Sequence, residues 1–304
     1  MKFTQNYSIK NLLAKVNYYG DFNGKGDSIV TGFCDDFFAK NGDLTWTDNS
    51  LVLKNLLAKE CNLTIITNIN VSERFENKTI VFFSNPLRLF ETIIDAVYLS
   101  QKQKPVIGKN TIIHDTVIIG NNVTIGDYCK ISPHVIIGDN VVIGDYVEIE
   151  AFTILGNTPY HVLRDRHKCF RDRKIYGSVY VENNVHIGSF CSIDNGITTE
   201  TRIGRKCKLG NFVEIGHDVV IGNNCCFAAQ TAIAGYVSIG NDCTFWGKSG
   251  VSNRIRIAAQ TELLASSILT KSVFKSGLVL CGFPAIERTK YWRCKIHERR
   301  VSEI

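Results

Sequence analysis

Residues 117–149 read VIIGNNVTIGDYCKISPHVIIGDNVVIGDYVEI, and an aliphatic side chain returns at every sixth position: Ile119, Ile125, Ile131, Ile137, Ile143 and Ile149. Working outward, the series begins at Ile107 and Ile113 and ends its first run at Leu155. It resumes at Val181, Ile187 and Ile193, skips four residues, and runs in sixes from Ile203 to Leu269, which makes twenty-four units. A helix repeats at about 3.6 residues and a strand at about 2, so neither produces this period. A short strand followed by a turn does, if three strands close one triangular coil. Eighteen residues then complete a coil, and strands of successive coils lie about 4.8 Å apart with their backbone groups paired.

Within each unit the residue after the aliphatic one is usually Gly or another small residue, and the fourth after it is again apolar or small, as at Val123, Cys129, Val135 and Val141. The aliphatic residue is expected to point into the prism, the small one to clear the tight corner, and the second apolar one to fill the remaining core. Cys129, Cys191, Cys207, Cys225 and Cys243 fall at the second position and are read as small core residues rather than nucleophiles. The chain has 11 cysteines, an odd number without a C-x-x-C arrangement, which argues against a disulfide framework and a zinc site.

A net charge of +6 over 304 residues, without long basic runs, argues against a nucleic-acid binder. No stretch of about 18 apolar residues predicts a transmembrane helix. The start, MKFTQNYSIKNLLAK, lacks the order of a secretory signal, so a cytoplasmic protein is expected. The seven histidines are scattered, with no metal constellation; His114, His134 and His186 fall at non-core repeat positions suited to a solvated surface.

Residues 1–103 lack the six-residue period and mix strand-like runs, LTIIT at 63–67 and TIVFF at 79–83, with helix-like ones, SIKNLLAKV at 8–16 and LRLFETIIDAVYL at 87–99. They predict a small α/β domain ahead of a solenoid over 104–275. Residues 157–178 are too long and charged for a turn and predict an excursion from the prism wall, read as either a phosphate-contacting segment or a solvated loop. The offset at Ile197–Glu200 predicts a smaller bulge. Residues 276–304 predict a turn and a short basic helix, suited to an acidic protein partner or to a solvated tail.

Four stretches narrow the reading: SIVTGFCDDFFAKNGDLTWTDNS (28–50), IGSFCSIDNGITTETRIG (187–204), IGHDVVIGNNCCFAAQTAIAGYVSIGNDC (215–243), and GFPA (282–285) followed by YWR. Together with the repeats they resemble the UDP-3-O-(3-hydroxyacyl)glucosamine N-acyltransferases, a family of hexapeptide-repeat acyltransferases. The resemblance implies a mainly β protein, a left-handed parallel β-helix with a small N-terminal α/β domain, assembled as a homotrimer. It implies transfer of a 3-hydroxyacyl group from the phosphopantetheine thioester of acyl carrier protein to the 2-amino group of UDP-3-O-acylglucosamine in lipid A biosynthesis, with no bound cofactor or metal.

By the same resemblance His217 is the general base and the Gly235 amide donates to the oxyanion. Gly235 also lies eighteen residues after His217, one coil later on the same edge. Asn211 matches an asparagine near the sugar, and Trp46 and Asn49 match residues that stack on and bond to uracil. Gly210 stands where the family has Asp and Val52 where it has a further aromatic, and two other departures bear on what is transferred. Arg254 stands where a second histidine is expected; it can bind a phosphate but cannot act as a base. Trp246 occupies a corner position normally small and is expected to project outward, either shortening the acyl groove or walling a pantetheine arm or subunit contact. Asp218 adjoins His217, but neighbours on a strand point opposite ways, so no pairing is expected. An alternative is a short-chain acyl-CoA-dependent N-acyltransferase acting on a nucleotide-linked amino sugar for surface glycans. A silent solenoid scaffold would carry a uniform outward row of Thr or apolar residues, which the sequence lacks.

Overall fold

The structure, a computed structural model, describes residues 2–20, 22–36, 39–97, 102–164 and 169–302, which form two compact units, Met1–Gln101 and Lys102–Ile304. The first contains β1 (Lys2–Ser8), α1 (Ile9–Lys15), β2 (Phe22–Asn23), β3 (Ile29–Phe33), β4 (Asp43–Thr47), α2 (Ser50–Leu57), β5 (Leu63–Thr67), β6 (Lys78–Phe82) and α3 (Pro86–Val97). One sheet in the order β1-β3-β4-β5-β6-β2 joins the strands, parallel from β3 to β6 and antiparallel at both ends. The five residues of β5 are all buried, as suits a strand inside a parallel sheet with helices packed on it.

The second unit is a parallel β-solenoid of three sheets with 8, 10 and 8 strands. Sheet I starts at Val106–Ile107, sheet II at Ile112–Ile113 and sheet III at Ile118–Ile119. The register is the eighteen-residue one: Ile125 pairs with Ile143, Ile131 with Ile149 and Ile137 with Leu155. The inward residues form one continuous core, and the five cysteines assigned to it are 0–2% exposed.

The corners differ from the sequence expectation in one respect. The left-handed backbone falls on the third residue after the inward aliphatic, at Asn122 (φ 57), Tyr128 (φ 56) and Asn140 (φ 62), not on the glycine. Asn tolerates this conformation by bonding its own surroundings, which accounts for its frequency there. The glycine is needed for a different reason: a Cβ on Gly126 would lie 2.6 Å from the carbonyl carbon of Gly144 in the next coil. Coil stacking, not turn strain, excludes side chains there.

The residue between these two carries a third regularity. Its N–H is capped by an Asn or Asp side chain in the same slot one coil on: Lys109 N–H donates to Asp127 Oδ1 (2.6 Å), Asp127 N–H to Asp145 Oδ1 (2.8 Å) and Asn223 N–H to Asn241 Oδ1 (2.8 Å). These ladders satisfy amides that the strands leave over.

Two insertions interrupt the coils. Across the first, partners such as His186 and Glu148 stand 38 positions apart instead of 18, and the excursion folds as an antiparallel hairpin of Val162–Arg164 with Phe170–Asp172. Arg166 and Lys168, part of its basic run, lie outside the described residues. Across the second, Ser192 pairs with Glu214. The chain closes with α4 (Arg288–Ser302). Among the described residues no helix is long and apolar enough to cross a membrane.

The two kinds of glycine predict opposite outcomes on unfolding in urea. Gly126→Ala, which must displace backbone, is expected to cost about 1–3 kcal/mol. Gly250→Ala, whose Cβ would meet its nearest atom at 3.8 Å, should be neutral or slightly stabilising. Equal effects would show that stacking does not select the corner glycine.

Candidate active site

His217 sits where sheet III hands over to sheet I, in the slot that holds Asn121, Asp139, Asn157 and Asn195 in the preceding coils of this edge. Its next residue, Asp218, is the left-handed corner residue (φ 54). That conformation removes the alternation expected of a strand and turns the Asp218 carboxylate back, so that Oδ2 lies 3.0 Å from His217 Nδ1. The pairing not expected from the sequence is therefore present, and the corner geometry is its cause.

Asp218 is fully buried, and its remaining acceptor capacity is used. Ile197 N–H donates to Oδ2 (2.8 Å), while Thr199 N–H (3.1 Å) and the Thr199 hydroxyl (2.6 Å) donate to Oδ1. Thr201 Oγ1 accepts from the Asp218 N–H at 2.9 Å. The four-residue offset read as a bulge is thus the segment that cradles this carboxylate. A carboxylate held by three donors acts as an acceptor toward His217, which assigns the imidazole proton to Nδ1 and leaves Nε2 as the basic nitrogen.

Gly235 lies one coil on, as the spacing predicts. A Cβ there would stand 2.5 Å from both Cε1 and Nε2 of His217, so only glycine leaves room for the ring. On this edge the side-chain caps shown among the described residues end lower down, with Asn121 N–H on Asp139 Oδ1 at 2.7 Å. Gly235 offers no side chain to the His217 slot, and its own N–H makes no hydrogen bond among the described residues. A Cβ on Gly216 would lie 2.9 Å from that nitrogen, so Gly216 keeps the amide uncovered. The result is a basic nitrogen beside an available N–H donor.

Aromatic rings pack around the imidazole. Tyr236 meets His217 edge to face at 4.8 Å, and His161, brought by the excursion, does so at 5.0 Å. Arg254, exposed and one coil beyond Tyr236, lays its guanidinium 4.7 Å from that ring's centre. Neither His161 nor Tyr236 carries a motif of its own: His161 reaches the ring only through the folded insertion, whereas Tyr236 follows from the register, eighteen residues after Asp218.

A pocket of about 400 Å³ opens beside His217 and Gly235. Its floor follows the outer face of sheet III from Glu214 over Ala232 and Gly250 to Ile268, and Asp194 and Tyr160 stand on its walls. Burial, with Glu214 nearby, pushes the Asp194 carboxyl up to about 6, against the opposing pull of His217 and the Asn157 amide. The only sequence signal for Asp194 was a carboxylate in a slot that is usually glycine.

The other residues singled out from the sequence lie elsewhere. Asn211 is on the corner between sheets II and III, where its Oδ1 accepts from Ser189 N–H at 3.0 Å as part of a capping ladder. Trp246 shares that corner; it projects outward, 46% exposed, and donates its indole N–H to Glu262 at 2.7 Å, but it does not line the His217 pocket. In the N-terminal unit the Trp46 indole N–H donates to Asp35 (3.1 Å), and the Asn49 carboxamide oxygen caps α2 through Leu51 N–H and Val52 N–H.

These features define a hexapeptide-repeat β-solenoid with a His–Asp pair on one corner. The bacterial transferase hexapeptide model (six repeats) matches residues 104–139, 124–157 and 200–235. UDP-3-O-acylglucosamine N-acyltransferase 2 of Sulfurimonas denitrificans is 35% identical over 132 residues, 43% of this chain and 42% of that protein. The enzyme of the same activity name from Dechloromonas aromatica is 38% identical over 128 residues, 42% and 37% of the two chains. The matched region thus spans about two fifths of these curated relatives. Repeats and relatives together support the resemblance to the UDP-3-O-acylglucosamine N-acyltransferases. A UDP-N-acetylglucosamine acyltransferase of Bacteroides fragilis, 22% identical, shares the fold with a TM-score of 0.54 over 62% of this chain and 71% of its own.

The raised Asp194 value has a sign for stability. A carboxyl whose native value, about 6, lies above the unfolded 3.8 is easier to ionise in the unfolded chain, so stability falls as pH rises through that window and stays lowered above it. Asp194→Asn should therefore stabilise the protein at pH 8 by roughly 1–3 kcal/mol and much less near pH 4. Denaturant unfolding at the two pH values checks this; equal shifts, or a loss at pH 8, would contradict it.

Proposed function

We propose that this protein is an N-acyltransferase that moves a 3-hydroxyacyl group from acyl carrier protein to the 2-amino group of UDP-3-O-acylglucosamine, in the cytoplasm and on the route to lipid A. The observation that carries the reading is the His217–Asp218 pair facing the open Gly235 amide, 3.0 Å between Nδ1 and Oδ2. As the amine attacks the thioester carbonyl, His217 Nε2 accepts its proton, Asp218 steadies the imidazolium through Nδ1–H, and the Gly235 N–H donates to the developing oxyanion. The proton then goes to the departing thiolate.

Two surfaces support the partners this reading requires. His134, Phe152, Phe190 and Phe212 stack at 4.9–5.1 Å along the corner between sheets II and III, and the three phenylalanines are 50–54% exposed. An exposed aromatic column of this kind supports burial against further copies, as in a homotrimer. Helix α4 presents Arg288, Lys290, Arg293 and Lys295, charges that complement an acidic carrier protein. One observation favours the short-chain acyl-CoA alternative: the exposed Arg254 on the His217 edge suits a phosphate-rich donor.

Purified protein incubated with UDP-3-O-acylglucosamine and either 3-hydroxyacyl-carrier protein or acyl-CoA, read by mass spectrometry, separates the donors. His217→Ala should lower transfer by about 10²–10⁴-fold with the fold retained. Transfer within three-fold of the unaltered protein would exclude His217 as the base.

A further inference from the structure

The slot occupied by Asp194 is otherwise small along the His217 edge, which reads Gly138, Gly156, Asp194, Gly216, Ala234 and Ser252 from coil to coil. Glu182 fills the equivalent slot on the corner between sheets I and II, and there Arg202 neutralises it at 2.6 Å. Asp194 is 8% exposed, opens into the pocket, and has no Lys or Arg within ion-pair distance among the described residues. A second carboxylate, Glu214, lines the floor of the same pocket. A nearly buried carboxylate facing another is unfavourable unless a cation joins them; His217 and the neutral Asn157 amide offset it, and neither is a fixed cation.

We infer that Asp194, with Glu214, binds the acceptor's amino group as an ammonium and selects amines over hydroxyls at the acceptor position. Two carboxylates facing a primary ammonium supply charge-assisted hydrogen bonds that a hydroxyl cannot match. The site also accounts for both protons an ammonium must lose. The first passes to the Asp194 carboxylate. The neutral amine then attacks the thioester carbon, the C–N bond forms as the C–S bond breaks, and the second proton moves through His217 Nε2 to the leaving thiolate. Asp194 afterwards returns its proton to solvent. The inference rests on the transferase reading for identifying the pocket as the acceptor site.

Calorimetric titration with UDP-glucosamine and UDP-glucose, which differ in the 2-substituent, tests it without any donor. The unaltered protein should bind the amino sugar at least about 10-fold more tightly. Asp194→Asn should reduce that ratio to below about 3-fold with the UDP-glucose affinity unchanged, and Glu214→Gln should reduce it less. An unchanged ratio in Asp194→Asn, no preference in the unaltered protein, or binding of neither sugar overturns the inference. Adding the thioester donor afterwards separates the two proposals: amine selectivity without transfer sinks the transferase reading alone, and transfer with an unchanged ratio sinks this inference alone.

Discussion

The solenoid depends on each coil's backbone pairing with the same position of the next coil, eighteen residues on. That pairing brings successive corners so close that a Cβ on Gly126 would touch the Gly144 backbone. It also fixes which residues share an edge, and it leaves a column of corner amides to be capped by side chains of the following coil. Every departure from the pattern is therefore placed at a known height on a known corner.

The candidate site is built from such departures. His217 stands in a slot where other coils carry Asn or Asp, Gly235 leaves room for the imidazole, Asp194 stands where neighbouring coils have a small residue, and four extra residues fold over Asp218. A rigid ladder holds the imidazole between Asp218 and Gly235 without any element having to move. The buried carboxylate of Asp194 is the counterpart: it costs stability where the scaffold alone would have used glycine.

The repeat register was legible from the sequence because one period fixes both strand pairing and core. The five core cysteines and the juxtaposition of His217 with Gly235 follow from it directly. The His217–Asp218 contact was not legible, because strand alternation was applied to a residue whose corner backbone is left-handed (φ 54). His161 reaches the site only through the folded insertion, whose course carries no periodicity. Asn211 and Trp246 share a corner, but not the one that carries His217, and Asn49 serves as a helix cap, a role its position before Ser50 would have indicated.

The proposed chemistry requires Asp218 to fix the His217 proton on Nδ1 and so leave Nε2 as the base. Long-range ¹H–¹⁵N NMR of the neutral imidazole reads this directly. Nδ1 should be protonated and Nε2 unprotonated, with the preference lost in Asp218→Ala. A proton resident on Nε2 in the unaltered protein would contradict it.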